Sequence, residues 1–427
     1  MHNNKPKGTY MKTVGKLSVV LILILLFGSC SFQEKKLKKR HSTSTLIHID
    51  PAKASRDSIP MSLIAERIEY IPLQMTDSSV LSYPYDFKVT NAFIFIREGN
   101  CILKFSKDGR FIKRLFDVGY GPGESKANSF AINESDNLVY AYDVHSRRGN
   151  IYDFDGMFIK TFNEDLCDPL YWISSIDYFQ SNIFVSICLR PGVGYLFSSF
   201  DLKDDSVRVL YKTRNTFTAS QEQQVPMIVF GNQHQVTQSE ILFKERYCDT
   251  IFAVDKDFHL RPLYIIDLGK DKMLWEDFRD QGMFNISAGP PDGYWIESFA
   301  DTHSFLFLMA KSYKDPGLLC VYLKDSDSTV ISSNKSYITQ EQRLVYMKND
   351  LDCLVPFPPM RKQTGQFLYH EEYLYSVIEA KDFVAAYNAA STEKRTSSEY
   401  LRKMEPLFSK IDEFSNPVIM KVYLKSD

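Results

Sequence analysis

Apolar residues in this chain fall into short runs that come in pairs. Asn91-Ala-Phe-Ile-Phe-Ile is followed by Ile102-Leu-Lys-Phe-Ser, and Leu138-Val-Tyr-Ala-Tyr by Asn150-Ile-Tyr-Asp-Phe. Each pair then turns through Asp-Gly, at Asp108-Gly109 and Asp155-Gly156, into a third run. Asp-Gly between strand patterns predicts a hairpin, because the tight turn needs positive φ. Weaker copies start at Asn182, Glu240, Ser304 and Tyr373, which makes six units. The early units recur roughly every 45–55 residues, close to the length of a four-stranded propeller blade. The first-named run of each pair is apolar on both faces, as expected of a strand covered by neighbours on both sides. The expected fold is therefore all-β: a six-bladed β-propeller of four-stranded antiparallel blades.

Closure of the ring is also legible. Ile68-Glu-Tyr-Ile-Pro-Leu73 is a lone strand before the first unit, and Val418 to Leu424 lacks a downstream partner. Pairing them removes both free edges, and Pro72, which cannot donate to a ladder, fits the outermost position. The period changes from strand-like to helical at Ala380–Ala390 and Thr396–Phe414, a helical insertion in the last blade over about 380–414. Thr396-Ser-Ser-Glu399 is a capping-box pattern, and Leu401, Met404, Phe408 and Ile411 form a stripe expected to pack on the propeller wall. Pro406 is expected to kink or divide this helix. Shorter helical patches are expected near 271–281 and 339–350.

Composition supports strands and excludes one class of partner. Of 427 residues, 14% are aromatic, which favours β structure. The formal net charge of −2 shows no basic excess, so no nucleic-acid partner is expected. The N-terminus is an export signal. Lys5, Lys7, Lys12 and Lys16 precede an apolar run from Leu17 to Phe27, too short to span a bilayer, and Gly28-Ser29-Cys30 follows. Residues 1–29 read as a signal peptide, and Cys30 after two small residues resembles the bacterial lipobox, with Phe27 where Leu is usual. That resemblance implies lipidation at Cys30 and anchorage in the outer membrane, on its periplasmic or surface face. Three acyl chains are enough for stable attachment. Residues 30–62 read as a polar tether with a basic cluster around Lys35–Arg40, and 63–427 as the propeller. The other six cysteines have no CxxC pair, which argues against a metal or redox motif.

Gly119-Tyr-Gly-Pro-Gly-Glu124 follows the first hairpin. Together with Ile71-Pro-Leu73, the Lys107-Asp-Gly109 turn and Asn416-Pro-Val418, it resembles the bacterial six-bladed β-propeller lipoproteins, which are similar to NHL-repeat proteins. Tyr140 to Asp155 also looks like an NHL repeat, with Asp143 ending an inner strand and Arg148 in the next loop. The resemblance implies fold and envelope location and no particular activity.

No nucleophile elbow, phosphate loop or metal-spaced histidine pair is present. Gly119-x-Gly121 is not a phosphate cradle, since Pro122 removes an amide donor and no helix pattern follows. Asp153-Phe-Asp155-Gly156 lacks the late ligands of a calcium loop. The expected function is a non-catalytic binding or scaffold module, with no cofactor and no metal, for a peptide, a glycan or an envelope protein. Residues that end apolar strands are the candidates for the ligand-facing mouth: Arg97, Glu98, Asp143, His145, Arg190, Lys244, Glu245, His370 and Glu371. The alternative is a metal-dependent, lactonase-like hydrolase or lyase, with His145, His234, His303 and His370 converging on the channel from separate blades.

Overall fold

The computed structural model describes residues 44–82, 84–162, 173–188, 193–215, 217, 232–277, 279, 291–315, 317–333, 345–358, 368–370, 372–393 and 396–425. Cys30, Cys167, Arg190 and Glu371 lie outside them. Strand β1 (Thr45–His48) and β2 (Ala65–Pro72) precede the first complete blade. Blade one is β3 (Pro84–Val89), β4 (Phe93–Glu98), β5 (Cys101–Ser106) and β6 (Phe111–Arg114). Blade two is β7 (Ser129–Asn133), β8 (Leu138–Asp143), β9 (Arg148–Asp153) and β10 (Phe158–Phe162). Blade three is β11 (Ile173–Phe179), β12 (Asn182–Ile187), β13 (Phe197–Asp201) and β14 (Val207–Tyr211). Blade four is β15 (Gln233–Val236), β16 (Ile241–Lys244), β17 (Thr250–Val254) and β18 (Leu260–Asp267). Blade five is β19 (Trp295–Asp301), β20 (Phe305–Lys311), β21 (Leu318–Leu323) and β22 (Ser328–Ser332). Blade six joins β23 (Leu368–His370), β24 (Tyr373–Ile378) and β25 (Val418–Leu424) to β2.

Each blade is antiparallel and runs from an inner first strand to an outer last one. The middle strands are the most deeply buried: β12 and β16 have every side chain covered. Outer strands are open, with Phe158, Ile159, Lys160 and Thr161 of β10 all exposed. Neighbouring blades meet through aromatic rings, such as Phe197 stacked on Phe243 at 4.5 Å across blades three and four. The Asp-Gly turns do more than reverse the chain. Gly109 and Gly156 have φ of +84° and +77°. A Cβ on Gly109 would lie 2.1 Å from the Pro72 carbonyl oxygen, and one on Gly156 2.3 Å from that of Leu115, so each turn seats on the backbone of the preceding blade.

The ring closes as the sequence predicts. β2 pairs antiparallel with β25, from Ala65 opposite Leu424 to Pro72 opposite Val418. Buried Asn416 fixes the junction: its Oδ1 accepts from Leu81 N (2.9 Å), and its Nδ2 donates to the carbonyls of Ser79 (2.7 Å) and Gln74 (3.0 Å).

Three expectations need correction. The polar tether does not extend to residue 62, because from Ser44 the chain is part of the fold. β1 adds to β18 as a parallel fifth strand, Ser55 bridges Ser332 of blade five, and Pro60 bridges Lys348. Residues 44–64 thus strap the outer edges of blades four and five before entering blade six. Ile47, Ile49, Ile59, Met61 and Ile64 are buried under this strap. These aliphatics are spread among polar residues, so no periodic pattern marks them. The helical insertion is two helices, α1 (Ala380–Thr392) and α2 (Ser398–Phe408); α2 is capped by Ser397 rather than Thr396 and continues through Pro406. Leu401, Met404 and Phe408 pack on the propeller wall, as their stripe predicts. The expected helix near 339–350 is absent from its described part, where Met347 instead bridges Phe357; the patch near 271 is a single turn, Trp275–Asp277, among its described residues.

Candidate functional site

Antiparallel blades put all first-to-second strand turns on one face of the ring. The second-to-third turns and the blade-to-blade connections lie on the other. A cavity of about 370 Å³ opens toward the first of these faces, and the inner strands of all six blades line it. Inner strands are less apolar than those behind them: β15 is Gln-His-Gln-Val and is half-buried throughout.

The wall of the cavity is tied across the ring by a row of polar groups. Lys88 of β3 reaches past blade two, and its ammonium pairs with Asp177 of β11 and donates to the Ile176 carbonyl at 3.3 Å. The other Asp177 oxygen lies 2.9 Å from Nε2 of His234, on β15. Nδ1 of His234 lies 2.6 Å from the Ser186 hydroxyl and 3.4 Å from that of Ser175. The two ring nitrogens of His234 thus face a carboxylate on one side and hydroxyls on the other. Burial alone would push the Asp177 carboxyl up. The Lys88 ammonium and the His234 imidazole outweigh it and hold the carboxyl down at about 2.

Two glutamines solve a problem specific to inner strands, whose channel-side edge has no ladder partner. Gln235 donates to the Asp301 carbonyl (2.7 Å) and accepts from the Asp301 amide (2.8 Å), and Gln233 accepts from the Phe299 amide (3.2 Å). Their amides thus take the place of a strand against β19. At the rim, Glu134 accepts from the Asn91 amide at 2.6 Å, and its second oxygen faces Nε2 of His370 at 4.0 Å. Tyr178, Phe299 and Tyr369 add aromatic surface.

Among the described residues expected at the ligand-facing mouth, only His370 lines this cavity; His234, named for the metal-dependent alternative, lines it as well. Arg97, Glu98, Asp143, His145, Lys244 and Glu245 end second strands or begin the turns after them, on the opposite face. Several are internal braces. Asp143 caps its own turn, accepting from the His145 amide (2.9 Å) and the Ser146 hydroxyl (2.7 Å). It ends a second strand, not an inner one as the NHL resemblance implies, and Arg148 opens β9 and donates to the Tyr120 carbonyl at 3.3 Å. Glu245 is fully buried and accepts from Tyr211 and Thr213, both at 2.7 Å. Lys244 donates to the carbonyls of Glu245 (2.9 Å), Arg246 (3.1 Å) and Ile296 (2.8 Å), and burial lowers its ammonium to about 8. Arg97 folds back onto the Gly99 carbonyl at 2.9 Å. Near them, Glu297 of β19 binds Arg246 (2.9 Å), Lys311 (3.3 Å) and the Trp295 indole (2.7 Å); burial pushes its carboxyl up, and the two cations more than reverse this.

The histidines do not converge. His234 and His370 sit on inner strands, whereas His145 and His303 are exposed in turns. Among the described residues, the one group of His and carboxylates close enough to hold a metal is Asp255, Asp257 and His259, in the outer turn of blade four. No disulfide joins Cys101, Cys188, Cys248, Cys320 or Cys353 to another described cysteine.

Solved structures are similar to this one. A Bacteroides fragilis NCTC 9343 protein assigned as exported superposes with a TM-score of 0.60 at 14% identity, over 90% of this chain and 100% of that one. A member of the duf4221 family from Bacteroides vulgatus has a TM-score of 0.49 at 12% identity, covering 87% and 99%. No curated protein matches the sequence. One family does, over residues 44–423, from the first strand of the strap to the last strand of the ring, and the chain belongs to it: the domain of unknown function DUF4934.

Proposed function

We propose that this protein is an exported module, held in the outer membrane through lipid on Cys30, that binds a small polar ligand in its central channel without converting it. The observation that carries this reading is the cavity itself. All six blades contribute to it, and its volume suits one sugar ring or the end of a peptide. Aromatic faces at Tyr178, Phe299 and Tyr369 can cover a ring, and the Glu134 carboxylate can accept from hydroxyl or ammonium groups. The line Asp177–His234–Ser186 has the residue types of a nucleophilic triad, but Ser186 is fully buried and the His234 side chain has no exposed surface. A hydroxyl that cannot meet a substrate cannot attack one, which supports a bracing role for this line. The signal sequence supports export, as does the fold shared with a protein assigned as exported. Titration calorimetry of wild type, Glu134→Gln and His370→Ala with a panel of short glycans and peptides tests the reading. Saturable binding that weakens at least tenfold in either variant is expected. Equal binding by all three proteins, or turnover that needs an added divalent metal, would overturn it.

A further inference from the structure

The outer wall of blades one and two differs from that of blades four and five. The edges of blades four and five are strapped by the chain's own N-terminal segment. On blades one and two the outermost strands, β6 and β10, have no further strand beside them among the described residues. Met157 is 66% exposed, Ile159 47% and Ile112 39%. The loop after β6, Gly119 to Glu124, adds Tyr120 at 57% exposure. This loop is tightly held. Glu124 accepts from the Gly121 amide at 2.7 Å, Tyr152 donates to the Gly123 carbonyl at 3.0 Å, and a Cβ on Gly119 would lie 1.9 Å from the Glu124 carboxylate. The pieces are contiguous. Lys113 of β6 donates to the Asp155 carbonyl, the Gly156 turn seats on Leu115, and Gly123 faces the Phe158 ring.

Charge sets the character of this wall. Lys107, Arg110, Lys113, Arg114, Lys126 and Lys160 outnumber the acids Asp108, Asp117, Glu124, Asp153 and Asp155, in a protein whose overall net charge is negative. An apolar edge with a basic border complements an acidic, apolar, extended segment. The fold also shows that a blade edge accepts an extended segment, since β1 adds to β18 over Thr45–His48.

We propose that the outer edge of blade two, with the Tyr120 loop and the basic β5–β6 hairpin beside it, docks a partner protein by adding an acidic, apolar extended segment to β10. The probe is a set of twelve-residue peptides alternating Glu with Val or Tyr, measured by fluorescence anisotropy against the chain starting at Ser31. Three matched controls carry Lys in place of Glu, methylated alternate amides, or a central proline. The acidic peptides are expected to bind and to protect β10 amides from hydrogen exchange. Affinity should fall at least tenfold in Lys113→Glu/Lys160→Glu and in Met157→Ser/Ile159→Ser, whose exposed positions leave the melting temperature unchanged. Binding by none of the acidic peptides, or equal binding of the methylated controls, would overturn the proposal. So would binding of the same chain to phosphatidylglycerol vesicles with no peptide bound, which would assign the wall to a membrane. Channel binding, measured by calorimetry on the same variants, is independent of all these outcomes.

Discussion

Replacing Asp177 with Asn removes the carboxylate that joins blades one, three and four at the channel wall. Its pKa in the fold is about 2, against 3.8 for the free side chain. That difference corresponds to roughly 2 kcal/mol of stability at neutral pH. The substitution also leaves the Lys88 ammonium, only 19% exposed, without its counter-charge. The total loss at pH 7 should therefore be about 3–5 kcal/mol. The sign of the pH dependence follows from the depressed pKa. The contribution is complete well above pH 4, where both folded and unfolded chains are ionised, and it is lost as pH falls through 2, below which both are protonated. About half of the roughly 2 kcal/mol should be gone by pH 3. Urea unfolding of wild type and Asp177→Asn between pH 7 and pH 3 measures this, and the difference between the two proteins isolates Asp177 from other acids. A gap that stays constant across that range would refute the reasoning, because it would show that the carboxyl is not held ionised by its neighbours.

Phe243→Ala removes a fully buried ring between blades three and four and should cost about 3–5 kcal/mol in chemical denaturation. Gly156→Ala should cost about 2–3 kcal/mol, since it adds contact with the Leu115 carbonyl to the strain of positive φ; Gly99→Ala, with φ of +57° and open space around it, should cost only about 1 kcal/mol. Starting the chain at Ala65 should leave the ring closed but lower its melting temperature, because it strips Ile47, Ile49, Ile59, Met61 and Ile64 from the outer wall. Radiolabelled palmitate should enter the wild type in cells and be absent from Cys30→Ala.

The sequence pointed to the fold and away from the site for a single physical reason. Second and third strands of each blade are sandwiched between neighbours, so both faces must be apolar, and runs such as Asn182–Ile187 stand out. Inner strands border water in the channel. β11 and β15 are half-buried and mix Ser, Asp, Gln and His with apolar residues, so no period marks them. Lys88, Glu134, Asp177, Gln233 and Gln235 all lie on or next to such strands. His370 was found because it precedes a strongly apolar strand. Lys244 and Glu245 were misjudged because charge at a strand end usually means exposure, whereas here each charge is satisfied by buried carbonyls or hydroxyls. One signal was available: Gln-His-Gln in a position where the blade repeat requires a strand is a polar strand, and a propeller places such strands at its axis.

A crystal structure of the protein with a glycan or peptide that binds in solution tests the central claim most directly. The account predicts the ligand in the channel, within hydrogen-bond distance of Glu134 and His370 and against Tyr178 or Phe299, with its bonds intact. Ligand seated on the opposite face, among Arg97, Asp143 and Lys244, or present only as cleaved product, would contradict it.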